Sequence, residues 1–590
     1  MRLKTLMLGL GAMTLAFSGC VKTVESRVTV IPSKAVIVTT GGKEKAAAEE
    51  LALHLKLITG VEIPLKPKAE KGDFIFAFDP GKLADNDEAC AWEVTKTKAI
   101  FRGKVQFAVL DFLENALGVR WPGGDDVSFA EMNPLVIAGL SGAWVPELKI
   151  RTIRYRADAS NSAFARRMRA GSHDGPVYGH AFTGHWKKYG KDHRDYFAMR
   201  KDGIRGPSNA KPDELTGNVA VYAADTGNTL AICCTSTGLV AQIVKDWIKA
   251  GKGEYINLCE NDVPGQNSCQ CPACKALDVV PERVDPKWET HYADRYVYFG
   301  NTVLGAARKF RPDVKVCYYA YNATQDAPAR EKPDPASIAG IVPTVFTDDY
   351  VKAYVGGWKK AGLEHFFYRP NRHHYFGCTY LPCGFEEHFF NLFKHLYSQG
   401  AIGFDYDAGS VPKHSFGWLD RYVLFHAMQD PSKSYGYWED HYCQAYGDAA
   451  PDVKAYCRFW REEVWNKRLE PNMDVIVTKG KWFNFGRGLL WNLKDYYTAE
   501  DFLAADKFLA AAEAKPLAAP QKALLENLRI AHEHAKVFFE AVAHKSKANT
   551  EKLVAFRRAH DIPVYNWSEQ YYGDITGVEG LLGKEKKGDK

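Results

Sequence analysis

The stretch Glu254–Cys274 reads EYINLCENDVPGQNSCQCPAC and joins a strand-like run to two carboxylates and three closely spaced cysteines. Successive side chains of an extended strand point to opposite faces, so Glu260 and Asp262 are predicted to share one face and Asn261 to point to the other. Two carboxylates at the end of a buried strand suit acid/base chemistry on a sugar or a similar polar substrate. This stretch is therefore the first candidate for an active site.

Strand and helix patterns alternate on both sides of this stretch, from about Lys149 onward. Eight strand patterns joined by crossover helices predict an α/β protein with a central (β/α)8 TIM barrel. A doubly wound open sheet would give similar local patterns, and only the strand order separates the two folds. The predicted strands are Ile150–Arg156, Val177–Phe182, Leu230–Thr235, Glu254–Asp262, Val314–Tyr321, Ile341–Asp348, His365–Arg369 and Ala401–Asp407.

Two further domains flank the predicted barrel, because 590 residues are too many for one hydrophobic core. The first is a small α/β domain whose clearest element is a helix over Lys45–Thr59, with Leu51, Leu55 and Ile58 at helical spacing and Gly60 as its stop. The last part of the chain follows a helical pattern. The predicted domains are 28–145 (α/β), 149–430 (barrel) and 431–590 (helical).

The N-terminus has the pattern of an export signal. Arg2 and Lys4 precede a short apolar run over Leu6–Phe17, which ends in Ser18-Gly19-Cys20. This pattern resembles a bacterial lipoprotein signal, which implies that residues 1–19 are a signal peptide and that Cys20 is lipidated. An ordinary secretory signal is the alternative. We expect an exported, membrane-anchored bacterial lipoprotein, in the periplasm or at the cell surface.

The overall composition is that of a globular protein, with 46% hydrophobic and 25% charged residues. A net charge of +6 on this length is mild and the basic residues are scattered, so a nucleic-acid partner is not predicted. Neither a phosphate-binding loop nor a dinucleotide fingerprint occurs in the sequence. Nothing in the sequence indicates an oligomeric state.

Polar residues recur where the predicted barrel strands end, and such ends gather at one face of a barrel. Glu260 or Asp262 is predicted to be the general acid, and Asp348 or Asp349 the opposing base, with the eighth strand as the alternative source of the base. For any single member, capping of the following helix is the competing explanation. The predicted substrate-binding residues are Arg156, Tyr178, His180, Asn261, Tyr321, Tyr368, Arg369, Asp405 and Asp407.

The cysteines Cys269, Cys271 and Cys274 have the spacing C-x-C-x-x-C, which allows three interpretations. They are candidate ligands of a structural zinc ion, with a fourth ligand such as Cys259. Disulfide formation in an oxidising compartment and simple packing of small buried residues are the alternatives. Catalysis itself requires no cofactor under the carboxylate mechanism.

The chain as a whole resembles the bacterial family called domain of unknown function 4838, from Val28 to at least Asp452. The resemblance implies a carbohydrate-active protein with a glycosidase-like barrel behind an N-terminal domain of the α-glucuronidase type. That first domain also resembles the one that precedes the barrel in hexosaminidases of glycoside hydrolase family 20, through the strings AAEELALHLKLITGVEIPL and FAVLDFLENALGVRWPGGDD. The motifs that carry the family resemblance are GHAFTGHW (179–186), RDYFAMRKDG (194–203), CENDVPGQNSCQCPACKALD (259–278) and PDVKVCYYAY (312–321).

These observations predict an exported glycoside hydrolase that acts on a polysaccharide or an oligosaccharide. Two other functions stay open. A glycan-binding lipoprotein on a glycosidase-like barrel would keep the aromatic residues and lose a matched acid/base pair. A polysaccharide lyase would use Tyr178 and His180 to abstract a proton beside a uronate.

Overall fold

A computed structural model describes residues 27–83, 86–154, 159–206, 230–261, 268–279, 292–343, 347–370, 380–407, 411–479 and 485–562. The chain forms two compact units. The first comprises residues up to Gly81, Cys90–Gly118 and Glu131–Ala143, and the second comprises Lys82–Ala89, Val119–Ala130 and Trp144 onward. The predicted boundaries at 145, 149 and 430 stay predictions.

The first unit is an α/β arrangement in which a six-stranded sheet carries two helices. The strand order is β3-β2-β4-β6-β5-β8, and β1 pairs separately with β7 in an antiparallel ladder. Helix α1 buries Leu51, Leu55 and Ile58 and ends at Gly60, which adopts a left-handed conformation (φ 69°) that favours glycine. The elements are β1 (Arg27–Val30), β2 (Ala35–Val38), α1 (Lys45–Thr59), β3 (Leu65–Lys66), β4 (Phe74–Pro80), β5 (Cys90–Val94), β6 (Lys98–Gly103), α2 (Val105–Asn115), β7 (Leu135–Ala138) and β8 (Ser141–Trp144).

The second unit is built on a seven-stranded sheet, whose strands are β9 (Ile150–Arg154), β10 (Gly171–Ser172), β11 (Tyr255–Asn257), β12 (Lys315–Tyr321), β13 (Ser337–Val342), β14 (His365–Tyr368) and β15 (Ala401–Asp407). Their order in the sheet is β10-β9-β15-β14-β13-β12-β11. Six of these described strands are parallel, and the short strand β10 is antiparallel to β9.

Helices surround this sheet and continue beyond it. Within the parallel region they are α3 (Ala159–Arg167), α4 (His185–Tyr189), α5 (Thr237–Lys249), α6 (Pro272–Lys275), α7 (Ala293–Ala307), α8 (Asp348–Lys360), α9 (Glu386–Ser398) and α10 (Gly417–Gln429). After the sheet they are α11 (Tyr435–Cys443), α12 (Ala450–Phe459), a π-helix (Trp460–Leu469), α13 (Met473–Lys479), α14 (Phe485–Trp491), α15 (Ala499–Glu513), α16 (Ala519–Ala543) and α17 (Lys547–Ala559). Among the helices so described, none has the length and apolar character needed to cross a membrane.

The parallel sheet is curled. Ile150 on β9 shares a buried cluster with Cys259, which follows β11, and with Cys317 on β12, although β9 and β11 lie near opposite ends of the strand order. Tyr255 on β11 also donates a hydrogen bond to the carbonyl oxygen of Asp174, just after β10 (2.7 Å). The inner face of the curl is therefore enclosed. The alternation of parallel strands and helices confirms the predicted α/β class.

Three predicted strands differ from the structure, and one of them, Leu230–Thr235, forms only an isolated antiparallel bridge between Ile232 and Phe197. Among the described residues, Val177–Phe182 forms no regular strand, because Gly179 takes a positive φ of 112° that interrupts the extended backbone. The sixth predicted strand, Ile341–Asp348, is found instead at Ser337–Val342. It ends before Pro343, whose nitrogen cannot donate to a ladder hydrogen bond.

Candidate active site

The carboxyl-terminal ends of β9, β14 and β15 bring three predicted polar positions together. In the parallel pairing of β15 with β9, Asp405 lies opposite Thr152 and Asp407 lies opposite Arg154. Strand β14 flanks β15 on its other side, and Arg369 follows it directly. Alternation places Asp405 and Asp407 on the same face of β15, where Asp405 contacts both arginines and Asp407 contacts Arg369.

Asp405 is the centre of this cluster. Its Oδ1 and Oδ2 accept from Arg154 Nε at 3.1 and 3.0 Å, and Arg154 Nη2 lies 2.7 Å from Oδ2. Thr152 Oγ1 donates to Oδ1 at 2.7 Å, and Arg369 Nε lies 3.4 Å from Oδ2. The carboxylate is only 1% exposed, whereas Arg154 is 42% exposed, so Asp405 holds in place an arginine that reaches solvent.

Tyr178 joins the cluster through its ring and its hydroxyl group. The ring lies 4.5 Å from that of Phe367, and the Arg154 guanidinium lies 5.9 Å from the Tyr178 ring. Burial and the nearby charge of Asp405 raise the pKa of Tyr178. The phenol therefore stays protonated near neutral pH and can donate a hydrogen bond.

His180 and Tyr319 extend the cluster toward the end of β12. His180 Nδ1–H donates to the carbonyl oxygen of Glu260 at 2.7 Å, so Nε2 is the ring nitrogen left for another partner. The His180 ring meets the Tyr319 ring edge to face at 6.1 Å, and the Arg369 guanidinium lies 5.4 Å from the Tyr319 ring. His180 is exposed, so its ring is accessible from solvent.

Glu260 directs its carboxyl group toward the protein. Oε1 accepts from the backbone N–H of Asn261 (2.8 Å), and Oε2 accepts from the backbone N–H of Ile232 (3.3 Å) and from the hydroxyl of Tyr296 on α7. Burial raises the pKa of Glu260 to about 7, although these hydrogen bonds work in the opposite direction. The group can therefore change its charge near neutral pH.

The raised pKa of Glu260 predicts a measurable effect on stability. A carboxyl group with a folded pKa of about 7 against an ordinary value of 4.5 stays protonated in the folded protein while it ionises in the unfolded chain. The stability of the native protein should therefore fall by roughly 3 kcal/mol relative to Glu260→Gln as the pH rises from about 4.5 to 7. Urea unfolding of both proteins between pH 5 and 8 measures this difference.

The exposed Glu364 provides the control for this measurement. The free energy of unfolding of Glu364→Gln should change with pH much as that of the native protein does, and far more closely than that of Glu260→Gln. Parallel curves for the native protein and Glu260→Gln would mean that Glu260 ionises like an ordinary glutamate.

The other predicted site residues lie apart from this cluster or outside the described residues. Asn261 is buried and donates from Nδ2 to the carbonyl oxygen of Leu230 at 2.9 Å. Asp348 and Asp349 open helix α8, and Asp348 lies 3.1 Å from His388 Nε2.

Two predicted tyrosines also have their own surroundings. Tyr321 is half-buried and precedes a 3-10 turn over Asn322–Thr324, where its backbone N–H donates to the hydroxyl of Thr324. Tyr368 is fully buried against Phe404 and Tyr406, so its ring has no exposed surface with which to contact a substrate. Arg156, Asp262 and Cys20 lie outside the described residues.

The sequence pattern missed one contributor to the polar cluster, Thr152. Arg154 and Tyr319 belong to the polar strand ends that the sequence shows, but Arg156 and Tyr321 are the predicted substrate-binding residues of those two strands. Thr152 and Arg154 share the face of Ile150 on β9, and Tyr319 shares the face of Cys317 on β12, so alternation could have favoured these three residues.

The cysteines form a separate cluster. Cys269, Cys271 and Cys274 are joined by Cys233, and the four sulfur atoms all lie within 4.8 Å of one another. Cys259, the predicted fourth member, instead lies in the enclosed core of the sheet beside Cys317. The cluster is thus complete without it.

The segment that carries the cysteine cluster and part of the polar cluster matches a known family. Residues 137–355 match Domain of unknown function (DUF4838). This finding confirms the predicted family resemblance, over a shorter span than the motifs indicated. The matched segment contains Arg154, His180, Glu260 and the four clustered cysteines.

Several solved structures are distantly similar to the chain. N-acetyl-β-hexosaminidase from Streptomyces plicatus is 11% identical with a TM-score of 0.38, covering 72% of this chain and 91% of its own. The family 20 β-N-acetylhexosaminidase from Streptomyces coelicolor A3(2) is 12% identical with a TM-score of 0.37, covering 71% of this chain and 92% of its own. Flavobacterium johnsoniae chitobiase is 9% identical with a TM-score of 0.39, covering 91% and 94%. Among curated proteins, no sequence matches the chain.

Proposed function

We propose that this chain is a carbohydrate-active protein of the glycoside hydrolase class, which binds a sugar at the carboxyl-terminal end of the curled sheet. The observation that carries the proposal is the Asp405 cluster, in which one buried carboxylate orients Arg154 and contacts Arg369. Guanidinium groups fixed in this way present N–H donors at set positions, as recognition of sugar hydroxyl groups requires. Tyr178 and His180 add a hydroxyl group and a ring nitrogen beside them.

The charges within the cluster favour a neutral sugar. The two arginines are matched by the two carboxylates of Asp405 and Asp407. A balanced set offers donors and acceptors without a net charge, which suits a substrate rich in hydroxyl groups better than a polyanion. We therefore expect neutral or N-acetylated sugars to be better ligands than uronates.

We infer that the curled sheet closes as a (β/α)8 barrel. Two segments that form no long strand still contact the end of β11, as the second and third barrel strands would. Ala181 N–H donates to the carbonyl oxygen of Cys259 (2.9 Å), and Asn261 Nδ2 donates to that of Leu230. In a barrel the carboxyl ends of all the strands converge on one face, which is where such enzymes bind their substrates.

For catalysis we propose Asp262 as the general acid and Asp407 as the opposing carboxylate. The carboxyl group of Glu260 already accepts from Tyr296 and two backbone N–H groups, so Asp262 is the better candidate of the two sequence-predicted acids. Asp407 is 30% exposed and lies 3.5 Å from Arg369, beside the residues proposed to bind the sugar. The sequence favours Asp348 or Asp349 as the base, but both open helix α8, and Asp348 is paired with His388 and Lys352.

A glycan-binding protein without catalysis is the second candidate. The observation in its favour is that Asp405, Glu260 and Asp348 all have protein partners, as they would if they only maintained the fold. The lyase hypothesis is weaker, because a tyrosine whose pKa is raised by burial and by Asp405 is a poor base.

A screen of the purified protein against aryl glycosides and glycans tests these candidates. The panel should include neutral, N-acetylated and uronic sugars, with release of the aryl group and binding measured separately. We expect hydrolysis of a neutral or N-acetylated glycoside that Arg154→Ala slows at least tenfold, the loss of one oriented hydrogen-bonding group. Binding without hydrolysis would favour the glycan-binding protein, and an unsaturated uronate product would favour the lyase. No binding and no turnover would contradict the carbohydrate assignment.

A further inference from the structure

Four buried cysteines form a compact sulfur cluster in the second unit. The Sγ atom of Cys233 lies 3.8 Å from that of Cys271 and 3.8 Å from that of Cys274. All four sulfur atoms, including that of Cys269, lie within 4.8 Å of one another. Four thiol groups from two distant parts of the sequence therefore point at one shared centre.

These distances fit a tetrahedral metal site. A Zn–S bond of about 2.3 Å places the ligand sulfur atoms of a tetrahedral site about 3.8 Å apart. A disulfide would bring two sulfur atoms to about 2 Å, and among the described cysteines none is bonded to another. Packing alone would not require four sulfur atoms to converge.

The surroundings of the sulfur atoms are those of metal-bound thiolates. The backbone N–H of Met199 donates to Cys269 Sγ (3.2 Å), and that of Cys274 donates to Cys271 Sγ (3.4 Å). Thr235 Oγ1 lies 3.3 Å from Cys274 Sγ. Donors of this kind stabilise thiolate ligands and orient them.

A positively charged residue also lies beside the cluster. Arg205 interacts with the sulfur atoms of Cys233 and Cys271 and is fixed by a hydrogen bond to the carbonyl oxygen of Phe197 (2.7 Å). A divalent cation with four thiolates carries a net charge of about −2, which a nearby guanidinium partly balances. Apolar packing of neutral thiols would not need this charge.

We propose that Cys233, Cys269, Cys271 and Cys274 bind one structural Zn²⁺ ion. All four positions are taken by protein sulfur, so the site is closed, as structural zinc sites are, and leaves no position for a substrate. The ion belongs to the fold and is independent of whether the protein hydrolyses glycosides.

The zinc ion would join two segments beside Glu260. Cys233 belongs to a segment that pairs with Phe197 through Ile232, and Ile232 N–H donates to Glu260. Cys269 lies after Glu260 in the chain, and its carbonyl oxygen accepts a hydrogen bond from Arg295 Nη1 (2.7 Å). Arg295 precedes Tyr296, whose hydroxyl group also donates to Glu260. The metal would therefore maintain the support of Glu260 from both sides.

Metal analysis of the full-length protein, purified without chelators, tests the proposal. We expect about one zinc ion per chain by inductively coupled plasma mass spectrometry. Cys233→Ser should lose most of this zinc and unfold at a lower temperature, because metal binding contributes to folding. Cys234→Ala is the matched control, since Cys234 is the adjacent buried cysteine outside the cluster, and it should retain the zinc.

A second measurement keeps the test valid if Cys233→Ser does not fold. Exchange of the native protein with Co²⁺ should produce the thiolate-to-cobalt absorption and the intense visible bands of a tetrahedral four-sulfur site. Native protein that holds no metal and has four reactive thiols in the cluster would overturn the proposal. So would a disulfide among the four cysteines by peptide mass spectrometry, or iron in place of zinc.

Discussion

Asp262→Asn should lower the hydrolysis of a glycoside substrate by about 10³-fold or more while the protein stays folded. An amide cannot donate the proton that the leaving-group oxygen needs, and general acid catalysis accounts for a factor of this size. The loss should be largest for poor leaving groups and should shrink for activated aryl glycosides, which depart without protonation. Steady-state kinetics over a series of leaving groups measures this dependence.

Glu260→Gln is the matched comparison for Asp262→Asn. The carboxyl group of Glu260 accepts from Tyr296, Ile232 and Asn261, so its replacement should disturb the support of the site and cause a smaller loss that does not depend on the leaving group. If Glu260→Gln shows the stronger dependence on the leaving group, Glu260 is the acid. Full activity in both variants would show that neither Glu260 nor Asp262 takes part in catalysis.

Local patterns predicted the elements whose structure depends on near neighbours in sequence. Helix α1 has the predicted bounds because Leu51, Leu55 and Ile58 form one apolar face and Gly60 supplies the end. Strand β15 also has its predicted bounds, Ala401–Asp407. The sixth strand lies earlier in the chain than predicted, because Pro343 interrupts the apolar run after Ile341.

The candidate site could be predicted only in part, because alternation gives the face of a residue and not its partners. Alternation correctly placed Asp405 and Asp407 on one face of β15. It could not indicate that Asp405 contacts two arginines, Arg154 on β9 and Arg369 after β14. It also gave no sign that the carboxyl group of Glu260 meets a tyrosine on helix α7. Such contacts depend on how distant segments pack.

The cysteine cluster illustrates the same limit. The spacing of Cys269, Cys271 and Cys274 was visible in the sequence, but the fourth sulfur comes from Cys233, well before them in the chain. Cys259 was the nearer choice in sequence and lies instead in the enclosed core. Spacing identified the local ligands, and only the fold identified the distant one.

Asp405→Ala should destabilise the second unit by roughly 3 kcal/mol, because removal of one partner from a buried ion pair leaves the other charges without compensation. This loss of stability should lie at the lower end of the range for buried ion pairs, because Arg154 is 42% exposed and can regain water. Arg369 is only 13% exposed and should account for most of the loss. Sugar binding should also weaken in protein that is still folded, because Arg154 loses the carboxylate that orients it. Urea unfolding and calorimetric titration with the best ligand from the screen measure the two effects.

Asp407→Ala separates these effects from the loss of any carboxylate on β15. Asp407 is 30% exposed and lies 3.5 Å from Arg369, so its removal should cost at most about 1 kcal/mol of stability. Asp405→Asn should fall between the two alanine variants, since an amide oxygen still accepts from Thr152 or Arg154 but carries no charge. A double-mutant cycle of Asp405→Ala with Arg369→Ala should then give a coupling energy above 1 kcal/mol. Equal destabilisation by Asp405→Ala and Asp407→Ala would contradict the role of Asp405 as the residue that organises the two arginines.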